Sequence, residues 1–137
     1  LTSIVANLLA ELPEVHILRD PTRGGLSSTL NEIAEGAKAT IVIDEEALPI
    51  DPPVKAACDL LGLDPLYVAN EGLMLIFLPD KYAEQALRII QSDTHGKNAR
   101  IIGRVTNDKK PEVILRLALG QTRIIDMLSG EQLPRIC

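Results

Sequence analysis

Leu73-Met74-Leu75-Ile76-Phe77-Leu78 is apolar on both of the alternating faces that a strand presents, and Pro79 closes it. A strand without a polar face must be covered on both sides. The run therefore predicts a central strand over 73–78 with other elements above and below it. With 137 residues the chain is long enough for one such core. The core material is aliphatic, since 46% of residues are hydrophobic but only 2% are aromatic and none is Trp. Platforms for stacking bases are therefore scarce. A net charge of -5 with no basic run also argues against a phosphate-neutralising surface, so no nucleic-acid partner is expected. The apolar runs fall well short of the roughly 20 residues that a membrane helix needs.

Around that strand the pattern alternates. Ile4, Val5, Leu8, Leu9 and Leu12 recur at helical spacing over 2–11, with Thr2 or Ser3 as N-cap and Pro13 as terminator. A short β-rich piece, 15–18, leads into a glycine turn. Beyond the turn Leu26, Leu30, Ile33, Ala34 and Ala37 share one helical face, with Gly36 near its end. A strand over 39–43, a helix over 54–61 ended by Gly62 and a helix beginning at Asp80 follow. Strands are expected over 100–105, 113–119 and 122–126, the last three as a terminal meander with turns at 107–111 and 120–121. The loop His95, without Cys or His neighbours, is expected to face solvent. The fold class is α+β, a layered α/β/α sandwich with a mixed sheet.

The two cysteines, Cys58 and Cys137, make neither a disulfide framework nor a metal cluster, which places the chain in a reducing, cytoplasmic setting. Cys58 lies among Ala57 and Leu60 on the helix 54–61 and reads as a buried apolar thiol. Cys137 is the last residue. It does not stand fourth from the end, as a prenylation signal requires. The chain opens on Leu1 rather than Met, so we expect a piece of a longer protein. Residues 1–128 form its single α+β domain, and 129–137 form a flexible tail.

Three features carry chemistry. In Arg19-Asp20-Pro21-Thr22-Arg23-Gly24-Gly25-Leu26, adjacent glycines let the backbone approach a ligand, and the following helix start offers N–H groups and a favourable dipole to an anion. The alternative is a tight turn capped by Asp20 or Thr22, with solvated arginines. Asn70-Glu71-Gly72 sets one carboxylate at the mouth of the apolar strand, where desolvation would raise its pKa towards that of a general base. The alternative there is a turn with an exposed Glu. The ending Leu133-Pro134-Arg135-Ile136-Cys137 presents a thiol on a leash, and ten extended residues span at most roughly 33–36 Å. Its alternative is an unused terminus. The α-carboxylate, roughly 5 Å from the thiol in water, disfavours the thiolate by about 0.8 kcal/mol, so Cys137 is no self-activated nucleophile.

Together these three motifs resemble the C-terminal domain of the HypE family of hydrogenase maturation factors. That family sits within a larger ATP-dependent group that includes aminoimidazole ribonucleotide synthetase and selenophosphate synthetase. The resemblance covers essentially all 137 residues but only the second half of the family's chain. Arg19-Asp20-Pro21-Thr22-Arg23-Gly24-Gly25 is shared in looser form across the larger group, whereas the ending Pro134-Arg135-Ile136-Cys137 is particular to this family.

The resemblance implies a sandwich similar to the C-terminal domain of aminoimidazole ribonucleotide synthetase. It implies an ATP-dependent carbamoyl dehydratase that converts an S-carboxamide on the terminal cysteine to an S-cyanate, the source of the iron-bound cyanide of [NiFe] hydrogenase. Cys137 is then the carrier and Glu71 the base, while Thr22, Arg23, Gly24, Gly25 and Asn70 lie near nucleotide phosphate. ATP and Mg²⁺ are implied, both held mainly by the other half of the family's chain, and no metal ligand is assigned here. The implied partners are the carbamoyltransferase HypF and a HypC-HypD scaffold that accepts cyanide, with a homodimer of the full-length protein. Two other readings remain: another ATP-dependent synthetase of the larger group, or a non-catalytic docking domain with a recognised tail.

Overall fold

The computed structural model describes residues 2–128. The expected tail, 129–137, lies outside the described residues, and Cys137 with it. Helix α1 (Thr2–Glu11) buries Ile4 and Leu8. Strand β1 (Ile17–Arg19) leads through the glycine turn to α2 (Gly25–Ala37), and β2 (Thr40–Asp44) follows. Helix α3 (Pro52–Leu61) begins two residues before the expected start, because proline lacks only an N–H that the first turn leaves unbonded. Gly62 ends it in a left-handed conformation. Strand β3 (Leu75–Phe77) precedes a single 3₁₀ turn at Asp80–Tyr82, where the sequence predicted the helix to begin. Helix α4 proper is Ala83–Ser92, followed by β4 (Gly103–Thr106), β5 (Glu112–Arg116) and β6 (Thr122–Ile124). His95 is exposed, with its ring nitrogen 3.2 Å from Asp93.

These elements make the expected α+β architecture with a mixed sheet, but the strands are ordered differently from a meander. The four-stranded sheet runs β4-β2-β5-β6, with β2 antiparallel to β4 and parallel to β5. Among the described residues only β5 and β6 pair as a hairpin. β2 is inserted between β4 and β5, so the 107–111 connection must cross the end of β2. Thr40 fastens that crossing: its N–H donates to the Asp108 carbonyl at 3.2 Å and its hydroxyl to the Lys110 carbonyl at 2.7 Å. At 2% exposure, Thr40 is a buried polar residue whose groups are used by the loop.

The apolar run 73–78 is where expectation and structure differ most usefully. β3 has three residues, is half-buried, and pairs only with β1, Ile17 opposite Phe77 and Arg19 opposite Leu75. It is therefore no interior strand of the larger sheet. The partner limits it, because Pro13 and Pro21 bracket the segment that can supply a ladder. Both faces of β3 are nevertheless covered. Leu75 and Phe77 pack on one core of Leu30, Ala34, Ile41, Ile43, Val113 and Leu115, while Ile76 and Leu78 pack on a second core of Leu8, Leu12 and Ala86. Helix α2 lies against β5 and β2, and α1 lies against α4. Cys58 is buried, as expected, at 5% exposure.

At the far end of the sheet the last residues of two parallel strands, Asp44 and Arg116, form an ion pair. The hydrogen bond from Arg116, outweighing partial desolvation, holds the Asp44 carboxyl below its ordinary 3.8. A depressed carboxylate stabilises the fold above its unfolded pKa and loses that contribution as pH falls through the folded value. Asp44→Asn is thus expected to lower Tm by about 1–3 °C at neutral pH, small because the pair is solvent-screened. The difference should vanish once pH has fallen through the depressed folded value, and Tm measured across pH 2–7 checks it.

Candidate functional site

The glycine turn owes its shape to two successive residues in left-handed conformations, Gly24 (φ 69) and Gly25 (φ 62). Neither tolerates a side chain. A Cβ on Gly25 would meet the Leu66 and Val68 carbonyl oxygens at 2.6 Å, and one on Gly24 would overlap the Ser28 hydroxyl. The turn is therefore seated directly on the backbone of 66–68. It is held by Gly25 N–H donating to the Thr22 carbonyl at 3.4 Å and Ser28 N–H to the Gly24 carbonyl at 3.2 Å. Gly24 is the N-cap of α2, and no side chain caps that helix start. The alternative in which Asp20 or Thr22 closes the helix is thus excluded. Gly25 N–H is used within the turn, which leaves the Leu26 and Ser27 N–H groups at the positive end of the helix dipole, the arrangement that takes an anion.

The second motif comes to the first. Asn70 N–H donates to the Pro21 carbonyl at 3.2 Å, which fastens Asn70-Glu71-Gly72 beside the turn 49 positions earlier. Asn70 and Glu71 are exposed. Desolvation by the mouth of β3, on which the base expectation rested, is not supplied by the described residues, because the ribbon ends at Leu75 and leaves 70–73 exposed. Arg23 is exposed and half-buried Thr22 precedes it. Arg19, the first of the two flanking arginines, pairs with Glu32 at 2.5 Å.

Sequence reasoning missed the third component. After β6 the chain runs back along the first turns of α2. The Ser27 hydroxyl donates to the Asp126 carbonyl at 2.6 Å, Asn31 Nδ2 donates to the Ile125 carbonyl at 2.8 Å, and Leu128 N–H donates to the Ser28 hydroxyl at 3.4 Å. Leu128 ends 3.6 Å from the position of a Cβ on Gly24. The signal was present: Ser27, Ser28 and Thr29 are three consecutive polar residues, all buried, opening an otherwise apolar helix face. Thr29 satisfies itself on the Gly25 carbonyl. Asp64 was missed as well. One of its oxygens caps the 3₁₀ turn at Pro65–Tyr67 by accepting from Leu66 N–H at 3.0 Å, and the other accepts from Arg123 at 2.9 Å, which ties the seat of the glycine turn to β6.

Among the described residues no group of His, Cys, Asp or Glu is placed to hold a metal ion. No described helix is long and apolar enough to cross a membrane.

Comparison with known proteins agrees with this geometry. The family model for the AIR synthase related protein, C-terminal domain, matches residues 2–116. The carbamoyl dehydratase HypE of Azotobacter vinelandii is 48% identical over 137 residues, covering 100% of this chain and 40% of the relative. A crystal structure of the hydrogenase maturation protein HypE in complex with ATP superposes with a TM-score of 0.91 at 44% identity, covering 100% of this chain and 42% of that one. A HypE-HypF complex gives 0.86 at 38% identity over 92% of this chain and 41% of that one. The chain therefore spans about 40% of the length of the relatives it matches.

Proposed function

We propose, from the premise that this chain belongs to the AIR synthase related protein, C-terminal domain family, that it is the carrier-bearing portion of an ATP-dependent carbamoyl dehydratase of [NiFe] hydrogenase maturation. One observation carries the reading. The Asn70 backbone is bonded to Pro21 of the glycine turn, and the chain leaving β6 is bonded to Ser28 beside Gly24, which supports reading the three motifs as parts of one site. The HypE structure with ATP supports nucleotide phosphate as the anion.

The chemistry follows from the substrate. An amide oxygen is a poor leaving group, so the carboxamide oxygen on Cys137 attacks the γ-phosphate and ADP departs. Loss of one N–H proton gives the S-imidate phosphate, which then loses phosphate from carbon and the second N–H proton from nitrogen, leaving the S-cyanate, with one of the two protons ending on the phosphate. In sum, a carboxamide and ATP become a cyanate, ADP and phosphate with release of a proton. First-turn N–H groups of α2, with Thr22, Arg23, Gly24 and Gly25, neutralise phosphate charge; Asn70 holds the second motif in place, and Glu71 accepts the proton. Burial of Glu71 has to come from nucleotide and the remainder of the longer protein. No metal-holding group of His, Cys, Asp or Glu occurs among the described residues, and we assign the Mg²⁺ ligands mainly to that remainder. HypF as loading partner is supported by the HypE-HypF complex. A HypC-HypD acceptor, a full-length homodimer and a cytoplasmic setting complete the proposal, as does the assignment of 1–128 to one domain and 129–137 to the carrier tail.

Mass spectrometry tests it. Full-length protein incubated with the carbamoyltransferase, carbamoyl phosphate and ATP should carry first a carboxamide on Cys137 and then an adduct lighter by one water. An adduct on any other residue would sink the reading. Glu71→Gln should load normally and stall at the carboxamide, slowing the second step by about 10²–10⁴-fold, the ordinary worth of a general base. Conversion at the unmodified rate would remove Glu71 from that role.

A further inference from the structure

We propose that Ser27, Ser28 and Asn31 form a positioning clamp that roots the C-terminal segment at the phosphate turn, an inference that rests on Cys137 being the substrate carrier. All three side chains stand in the first two turns of α2, and each engages the main chain of 125–128. Ser27 takes the Asp126 carbonyl at 2.6 Å, Asn31 the Ile125 carbonyl at 2.8 Å, and Ser28 the Leu128 N–H at 3.4 Å. Asn31 also donates to the Ser27 carbonyl at 3.0 Å, which braces the clamp against the helix itself.

Fold stability alone gives a poor account of these residues. Ser27 and Ser28 are 1% and 7% exposed, and a buried hydroxyl is costly unless it is bonded. Alanine would suit both the helix and its apolar surroundings better. What the hydroxyls and the amide hold is the main chain leaving β6, whatever side chains it bears. Ser28 belongs to both sites: its N–H bonds the Gly24 carbonyl, its hydroxyl fills the space that the missing Gly24 side chain leaves, and the same hydroxyl receives Leu128.

The clamp sets the origin of the leash. Cys137 follows Leu128 by nine residues, which reach at most roughly 30–32 Å. With the root held beside Gly24, that covalent reach is counted from the phosphate turn. The thiol's effective concentration there falls roughly as the −3/2 power of leash length. Loading by a separate transferase is bimolecular and owes nothing to where the leash begins.

Two variants of the full-length protein separate these effects. One is Ser27→Ala with Asn31→Ala. The other inserts eight Gly and Ser residues after Leu128 and leaves the clamp's own side chains and the 125–128 main chain unchanged. Hydrogen exchange of the 125–128 peptide, the rate of carboxamide loading, and the single-turnover rate of ATP-dependent dehydration are measured for each. The insertion should slow dehydration about two- to threefold with loading unchanged. The double variant should raise exchange of 125–128 by about tenfold or more and slow dehydration about twofold, again without affecting loading. Unchanged exchange in the double variant, or dehydration at the unmodified rate after the insertion, would overturn the clamp. Failure of the unmodified protein to acquire a carboxamide on Cys137 would instead overturn the carrier reading, and exchange would still decide whether Ser27 and Asn31 hold 125–128.

Discussion

Gly25→Ala is expected to lower the melting temperature by about 10–15 °C. A non-glycine residue in the left-handed region costs roughly 1–2 kcal/mol. The added Cβ would also sit 2.6 Å from two carbonyl oxygens of the 66–68 backbone, where no flexible side chain can swing aside; overpacking of that kind costs about 1–3 kcal/mol more. A domain of this size converts each kcal/mol into about 3–5 °C. Gly62→Ala supplies the control, because Gly62 has a similar φ of 67 but meets nothing within 4 Å. It should show the conformational cost alone. Scanning calorimetry of both variants decides the matter, and equal losses would mean that the seat on 66–68 contributes nothing. In the full-length protein Gly25→Ala should also weaken ATP binding, since the turn cannot keep its shape away from that seat.

The second large effect is expected at Ile125. Its side chain is 1% exposed within the main core, its N–H donates to Val113 and its carbonyl accepts from Asn31. Ile125→Ala should cost about 2–5 kcal/mol and Ile125→Val about 0.5–1.5 kcal/mol. The measurement is the denaturation midpoint, with an unchanged slope showing that the change is one of stability. The location makes the pair informative: this core residue is the first of the clamped segment, so packing and clamping are joined through one backbone unit. A loss for Ile125→Ala no greater than that for Ile125→Val would show that the site collapses around the missing atoms.

These effects also mark what could be read in the residues beforehand. The need for cover on both faces of 73–78 was legible, because periodicity reports polarity directly. That the cover comes from two separate cores, and that the strand belongs to a two-stranded ribbon, was not; the choice of partner depends on where Pro13 and Pro21 interrupt a segment far away in the chain. Likewise β5 and β6 were legible as neighbours joined by a tight turn, whereas the insertion of β2 between β4 and β5 is a non-local event announced only by the buried Thr40. Within the site, Gly24-Gly25 declared a turn with unusual backbone angles. The bond from Asn70 to Pro21 was invisible, since nothing local to either motif refers to the other. The buried serines of α2 were visible as residues but had no meaning until the chain end was seen to lie across them.

The central position of β2 also has a consequence for how the protein is made. Its two sheet neighbours, β4 and β5, both come later in the sequence, and the later of them is complete only about 70 residues after β2 has emerged. At roughly 5–20 residues per second a nascent chain spends several seconds with Ile41, Val42 and Ile43 on a strand whose two edges are both open. An unpaired apolar strand is a template for joining another chain. Synthesis of residues 103–116 is therefore the event that closes the sheet, and chains interrupted before it are the ones expected to aggregate.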